Sequence, residues 1–73
     1  MSKPIFSLDT PIGTRLREVR KWRKLTLTQL KNVSGVAVGT LSDVENNIRQ
    51  PNTSTLLKLS RALEVSLKTL TGL

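Results

Sequence analysis

The 73-residue chain has no cysteine and no histidine. Those two gaps remove disulfide staples, thiolate nucleophiles, the usual zinc ligands and imidazole acid–base chemistry in one step. A reducing compartment suits such a chain. Acidic residues are few, five in all, and none pairs with a nucleophile or a metal-ligand cluster in a recognisable spacing, so an enzyme is not expected and no metal or cofactor is implied. Long hydrophobic runs are absent too. The opening MSKPIFSLDTP lacks the apolar stretch of a signal peptide, and no segment approaches the twenty or so apolar residues of a membrane span, so the expectation is an intracellular protein without membrane contact. No repeat, linker or low-complexity segment interrupts the chain.

What the chain does have is positive charge. Twelve Lys and Arg against five acids leave a net charge of +7, a balance that favours a polyanionic partner through phosphate neutralisation and counterion release. Seven of the cations fall at or before Lys24: Lys3, Arg15, Arg17, Arg20, Lys21, Arg23 and Lys24. Charge alone leaves two readings open, a nucleic-acid surface or a solvated helix face that keeps a small protein soluble. A chain of this length forms one domain and buries only about three-fifths of its unfolded surface, so its stability is modest.

Apolar periodicity divides the chain into helices. Residues 1–9 carry Ile5, Phe6 and Leu8 without a helical period and read as an extended arm, with residues 10–73 as the folded domain. Thr10 offers a cap with Pro11 in the first helical position, and Ile12, Leu16 and Val19 recur at helical spacing, giving a first helix over 11–24. Arg15, Arg20 and Trp22 flank its stripe, and Trp22 is expected to be partly in the core. Thr26 and Gln29 form the capping-box pattern ahead of a second helix over 27–34. Gly35 then supplies a left-handed turn. A third helix over 37–46 places Ala37, Leu41 and Val44, followed by Ile48, on a core side, and Val38, Gly39, Ser42, Asp43 and Asn46 on the other. Asn47 is suited to end it in the left-handed conformation. Gln50-Pro51 forbids continuation, and Asn52 caps a fourth helix over 53–63 with Leu56, Leu59, Ala62 and Leu63 inward. Ser66 opens a short fifth helix in which Leu67 and Leu70 close the core. The fold class is therefore all-α: five helices in a single compact domain.

A short helix, a glycine turn and a second short helix outline a helix-turn-helix. From Ile12 to Leu70, about four-fifths of the chain, the stretches IGTRLREVR, LTLTQLKNVSGV, GTLSDVEN and QPNTSTLLKLSRALEVSL resemble the phage repressor and Cro-like (XRE-type) helix-turn-helix family in order and spacing. The resemblance implies a DNA-binding transcriptional regulator, a repressor working as a homodimer on a two-fold symmetric operator, with the third helix in the major groove of double-stranded DNA. It implies a cytoplasmic, nucleoid-associated protein. It also implies that Val38, Gly39, Ser42 and Asp43 face bases, that Thr28, Asn46, Asn47 and Arg49 face phosphates, and that Arg20 and Glu45 form a structural ion pair. Three departures stand out. Lys31 occupies a position where the family has a small residue, and Lys24 and Glu64 replace glycine at helix ends, each costing about 1 kcal/mol if held left-handed. The recognition face carries no Arg, Lys or Gln, the residues that grip guanine or adenine bidentately. Asp43 is left either in solvent or as an acceptor for a cytosine amino group, and Val38 either in solvent or against a thymine methyl. Two other readings remain at this point: an antitoxin whose arm engages a toxin, and an interaction module that kept the fold without specific DNA contacts. A protein partner such as a toxin or antirepressor is compatible with either.

Overall fold

Three of the five helices begin at a residue whose side chain caps the first turn. The computed structural model describes residues 3–73, and among them the chain forms α1 (Ile12–Trp22), α2 (Leu27–Ser34), α3 (Val38–Glu45), α4 (Thr53–Leu63) and α5 (Leu67–Thr71), with no strand. The Thr26 hydroxyl accepts from the Gln29 amide at 3.1 Å while the Gln29 side chain accepts from the Thr26 amide at 2.9 Å, a complete capping box. Asn52 and Ser66 cap α4 and α5 by accepting from the Thr55 and Thr69 amides. At the far ends Gly35 closes α2 with φ +78°, and Lys24, Asn47 and Glu64 take φ of 59°, 60° and 56°. These exits turn the chain out of each helix into the link that leads to the next.

The reversals bring the apolar stripes together. Leu16 and Val19 of α1, Leu30 of α2, Val36 of the turn, Leu41 and Val44 of α3, Leu59 and Leu63 of α4 and Leu70 of α5 make one core. Around it α1 packs on α3 and α5, α2 on α3 and α4, and α4 on α5. Phe6, Trp22, Leu56 and Ala62 pack against its margin. Burying a leucine or valine side chain stabilises by about 1.5–3 kcal/mol, and with nine such residues the margin over chain entropy is thin.

Several local expectations are corrected. Thr10 does not cap α1: the helix begins at Ile12, Pro11 precedes it without a side-chain cap bond, and the Thr10 hydroxyl pairs with Ser7 at 3.0 Å. The helix stops at Trp22 because Lys24 turns left-handed, its amide donating to the Lys21 carbonyl and the Leu25 amide to the Arg20 carbonyl. α3 is one residue shorter at each end than 37–46. Ile48 is 74% exposed rather than core, because the left-handed step at Asn47 swings the following residues off the inner face. Ala37 is also exposed, and Leu67 stays at the surface while Leu70 alone closes the core from α5. Of the arm assigned to residues 1–9, Met1 and Ser2 lie outside the described residues. Ile5 and Leu8 are exposed, and Phe6 alone is drawn inward.

Candidate functional site

α2 and α3 form one rigid corner. The Gly35 amide returns to the Lys31 carbonyl at 2.8 Å, the Ser34 hydroxyl accepts from the Val36 amide at 3.1 Å, and Leu30, Val36 and Leu41 lock beneath the turn. With Leu41 and Val44 turned inward, α3 presents Val38, Gly39, Ser42 and Asp43 on an exposed or half-exposed face. Lys31 is exposed.

Glu45 fixes the rotation of α3. Its side chain is only 3% exposed, and the Arg20 guanidinium meets it as a fork, Nε to Oε2 at 2.6 Å and Nη2 to Oε1 at 3.0 Å. The third Arg20 nitrogen donates to the Leu25 carbonyl at 2.8 Å, so the same side chain also fixes the link between α1 and α2. A bidentate geometry with further bonds is what offsets desolvation of a buried pair. Hydrogen bonding to Glu45 raises the Arg20 pKa above its ordinary value; burial opposes the shift and the carboxylate's charge adds to it. Arg17 approaches from the solvent side, its Nε 3.5 Å from Glu45 Oε1 and its Nη2 donating to Asn46 Oδ1 at 2.8 Å. Asn46 in turn donates to the Ser42 carbonyl at 3.0 Å.

Asn47 does something that the sequence did not disclose. Its Oδ1 accepts from the Gly13 amide at 3.2 Å, so it caps α1 from the end of α3, in place of Thr10. A Cβ at Gly13 would strike the Val44 carbonyl and the Asn47 side chain, so glycine is what lets α1 close on α3. Beyond Asn47 the chain folds back, and the Ile48 and Arg49 amides both donate to the Asp43 carbonyl, at 2.9 and 3.2 Å. This brings Arg49 Nη2 to 3.7 Å from Asp43 Oδ2, with both side chains largely in water. Thr28 stands exposed in the first turn of α2.

Two cations counted as surface charge are structural. Arg15 is 5% exposed; it donates to the carbonyls of Thr10 at 2.9 Å, Ser7 at 2.7 Å and Thr69 at 3.4 Å, and its guanidinium lies 5.0 Å from the Phe6 ring centre. It joins the arm and α5 to α1. The signal was present: Arg15, Val19 and Trp22 share a helix face at i, i+4 and i+7. Arg23 donates to the carbonyls of Leu63 and Glu64 and stacks on Trp22 at 4.6 Å, closing the carboxyl end of α4, where a cation is favoured.

A sequence profile of the helix-turn-helix family matches residues 16–70. The chain is 44% identical over 57 residues to the uncharacterised HTH-type transcriptional regulator RghRB of Bacillus subtilis, covering 77% of this chain and 41% of that protein. It is 38% identical over 60 residues to the HTH-type transcriptional regulator SinR of the same organism, covering 81% of this chain and 54% of that one. The chain thus spans about two-fifths to one-half of the length of these relatives. Among solved structures it superimposes on the P22 c2 repressor in complex with a synthetic operator, with TM-score 0.79 and 34% identity, over 85% of this chain and 94% of that one.

Proposed function

The chain belongs to the helix-turn-helix family, and from that membership we propose that it binds double-stranded DNA as a homodimeric transcriptional repressor, seating α3 in the major groove of a two-fold symmetric operator. The observation that carries the reading is the division of α3. Its inner side is anchored by Leu41, Val44 and the forked Glu45, while Val38, Gly39, Ser42 and Asp43 face outward with nothing of the domain built over them. A helix gripped on one side and bare on the other is the form that groove entry requires. The names of its relatives, transcriptional regulators and an operator-bound repressor, point the same way.

In this reading Val38, Gly39, Ser42 and Asp43 meet base edges. Thr28, Asn46 and Arg49 meet phosphates beside them, and Asn47, whose carbonyl-type oxygen is engaged by Gly13, contributes through its amide nitrogen or backbone. One such helix reads only three or four base pairs, so two copies are needed for a useful site. The chemistry needs no cofactor. Selection from a random duplex pool at two salt concentrations, followed by footprinting, tests the proposal. The expected result is a palindrome whose half-sites lie about 34 Å apart, with affinity falling steeply as salt rises. Binding that is indifferent to salt or to sequence overturns it.

A further inference from the structure

Three of the four glycines have an internal cause. Gly35 and Gly72 hold φ of +78° and +79°, and Gly13 makes room for α3. Gly39 has neither: its φ is not positive, and a Cβ there would find nothing within 4 Å. Glycine inside a helix is less favourable than alanine, so the domain itself gives no reason for it. The open space belongs to whatever approaches α3 from outside.

Asp43 is the side chain best placed to use that space. It lies one turn beyond Gly39, and helical side chains lean over the turn that precedes them. In the free protein the space is empty, since Asp43 is paired with Arg49 at 3.7 Å. The backbone bonds from the Ile48 and Arg49 amides to the Asp43 carbonyl hold the Arg49 backbone close to Asp43, within reach of its carboxylate.

We propose that Asp43, Arg49 and Gly39 form a single reading unit, resting on the DNA-binding role above, that selects a cytosine in each half-site. The Asp43 carboxylate accepts from the cytosine N4 amino group. Guanine and thymine offer acceptors at the major-groove edge and repel it, and adenine sets its own N7 acceptor beside its amino group; cytosine alone offers a donor with no acceptor on its own major-groove edge. A bare carboxylate would be driven from the groove by flanking phosphates. Arg49 cancels that charge and remains free to touch a phosphate itself, while Gly39 lets α3 approach closely enough for the short aspartate to reach.

The test uses the full chain and the duplex selected above, with each cytosine–guanine pair exchanged in turn. Wild type should lose about tenfold in affinity at one cytosine per half-site, the lower range of a good base contact. Asp43→Ala should abolish that preference, and only that one, whereas Asp43→Asn, which keeps an acceptor and adds a donor, should broaden it towards adenine. Arg49→Ala should weaken wild type several-fold more than it weakens the Asp43→Asn variant, because only the former is left with an uncompensated carboxylate. Gly39→Ala should raise the melting temperature yet weaken binding. The inference is overturned if Asp43→Ala keeps every base preference, if Arg49→Ala costs the same in the wild-type and Asp43→Asn backgrounds, or if Gly39→Ala binds as tightly as wild type. A wild type that selects a sequence without that cytosine sinks this inference alone, whereas one that selects no sequence sinks the DNA-binding proposal with it.

Discussion

Gly13 sits one residue inside α1, where alanine ordinarily adds about 0.5–1 kcal/mol of stability. Here the sign should reverse. The new Cβ meets the Val44 backbone carbonyl, which does not yield without moving α3, and the Asn47 side chain that caps α1, and overpacking of that kind costs about 1–3 kcal/mol. Gly13→Ala should therefore lower the urea midpoint and disturb α3, whereas Gly39→Ala should raise it. A Gly13→Ala protein as stable as wild type would show that α1 and α3 do not close this tightly. Arg15 gives a second prediction at this scale. Replacing it with Met keeps the apolar stem and removes three bonds to carbonyls together with the stacking on Phe6. Hydrogen bonds to a charged donor contribute about 1.5–3 kcal/mol each, but the Ser7 and Thr10 carbonyls lie near solvent and can rehydrate, so a loss of about 2–3 kcal/mol is expected. Residues 3–9 should then exchange amide hydrogens faster, and unchanged exchange would separate Arg15 from the arm.

The ends of the helices show what the sequence could and could not disclose. Caps made within one turn were legible, as at Thr26, Gly35, Asn52 and Ser66, because donor and acceptor lie three or four residues apart and the pattern is local. Asn47 capping α1 from 34 residues away was not, and neither was Arg23 on the carboxyl end of α4, since both depend on which helices become neighbours. Ile48 leaves the core for a related reason: helical periodicity does not carry past Asn47, which turns left-handed. The outward face of α3 was legible because its apolar positions recur at helical spacing, but the pairing of Asp43 with Arg49 was not, since it needs the reversal after α3. The three non-glycine left-handed exits predict different outcomes. Lys24→Gly and Glu64→Gly should each stabilise by about 1 kcal/mol by removing the Cβ penalty. Asn47→Gly gains less relief, because asparagine already tolerates the left-handed region, and it loses the bond to Gly13, so its net effect should be near zero or unfavourable. Equal gains at all three positions in thermal unfolding would mean that the Asn47 cap contributes nothing.

For the molecule as a whole, the net charge of +7 overstates the surface that phosphates can meet. Arg15, Arg20 and Arg23 are engaged by the domain's own carbonyls and by Glu45, and Arg17 is half engaged. Lys21 of α1, Lys24 in the link to α2, Lys31 of α2 and Arg49 after α3 stay exposed. The two groups should separate cleanly between stability and salt dependence. Replacing Lys31 or Arg49 with Gln should leave unfolding nearly unchanged, and if each neutralises a phosphate it should shallow the slope of log affinity against log salt by about 0.9. Arg20→Ala should do the opposite. It strands the Glu45 carboxylate in a site only 3% exposed, a loss of about 3–5 kcal/mol for a buried pair. A domain of this size has only about 4–11 kcal/mol in all. The measurement therefore belongs in the Lys24→Gly, Glu64→Gly background, where the variants stay folded. In that background Arg20→Ala, Glu45→Ala and the double variant form a cycle, and partners joined as a fork should show coupling of about 1–3 kcal/mol. Arg17 tempers the Arg20 arm, since it lies 3.5 Å from the same carboxylate and can shift towards it, so Glu45→Ala should be no less costly than Arg20→Ala. Coupling below about 0.5 kcal/mol, with an unchanged melting temperature and a shallower salt slope for Arg20→Ala, would place Arg20 on a phosphate and leave α3 without its anchor.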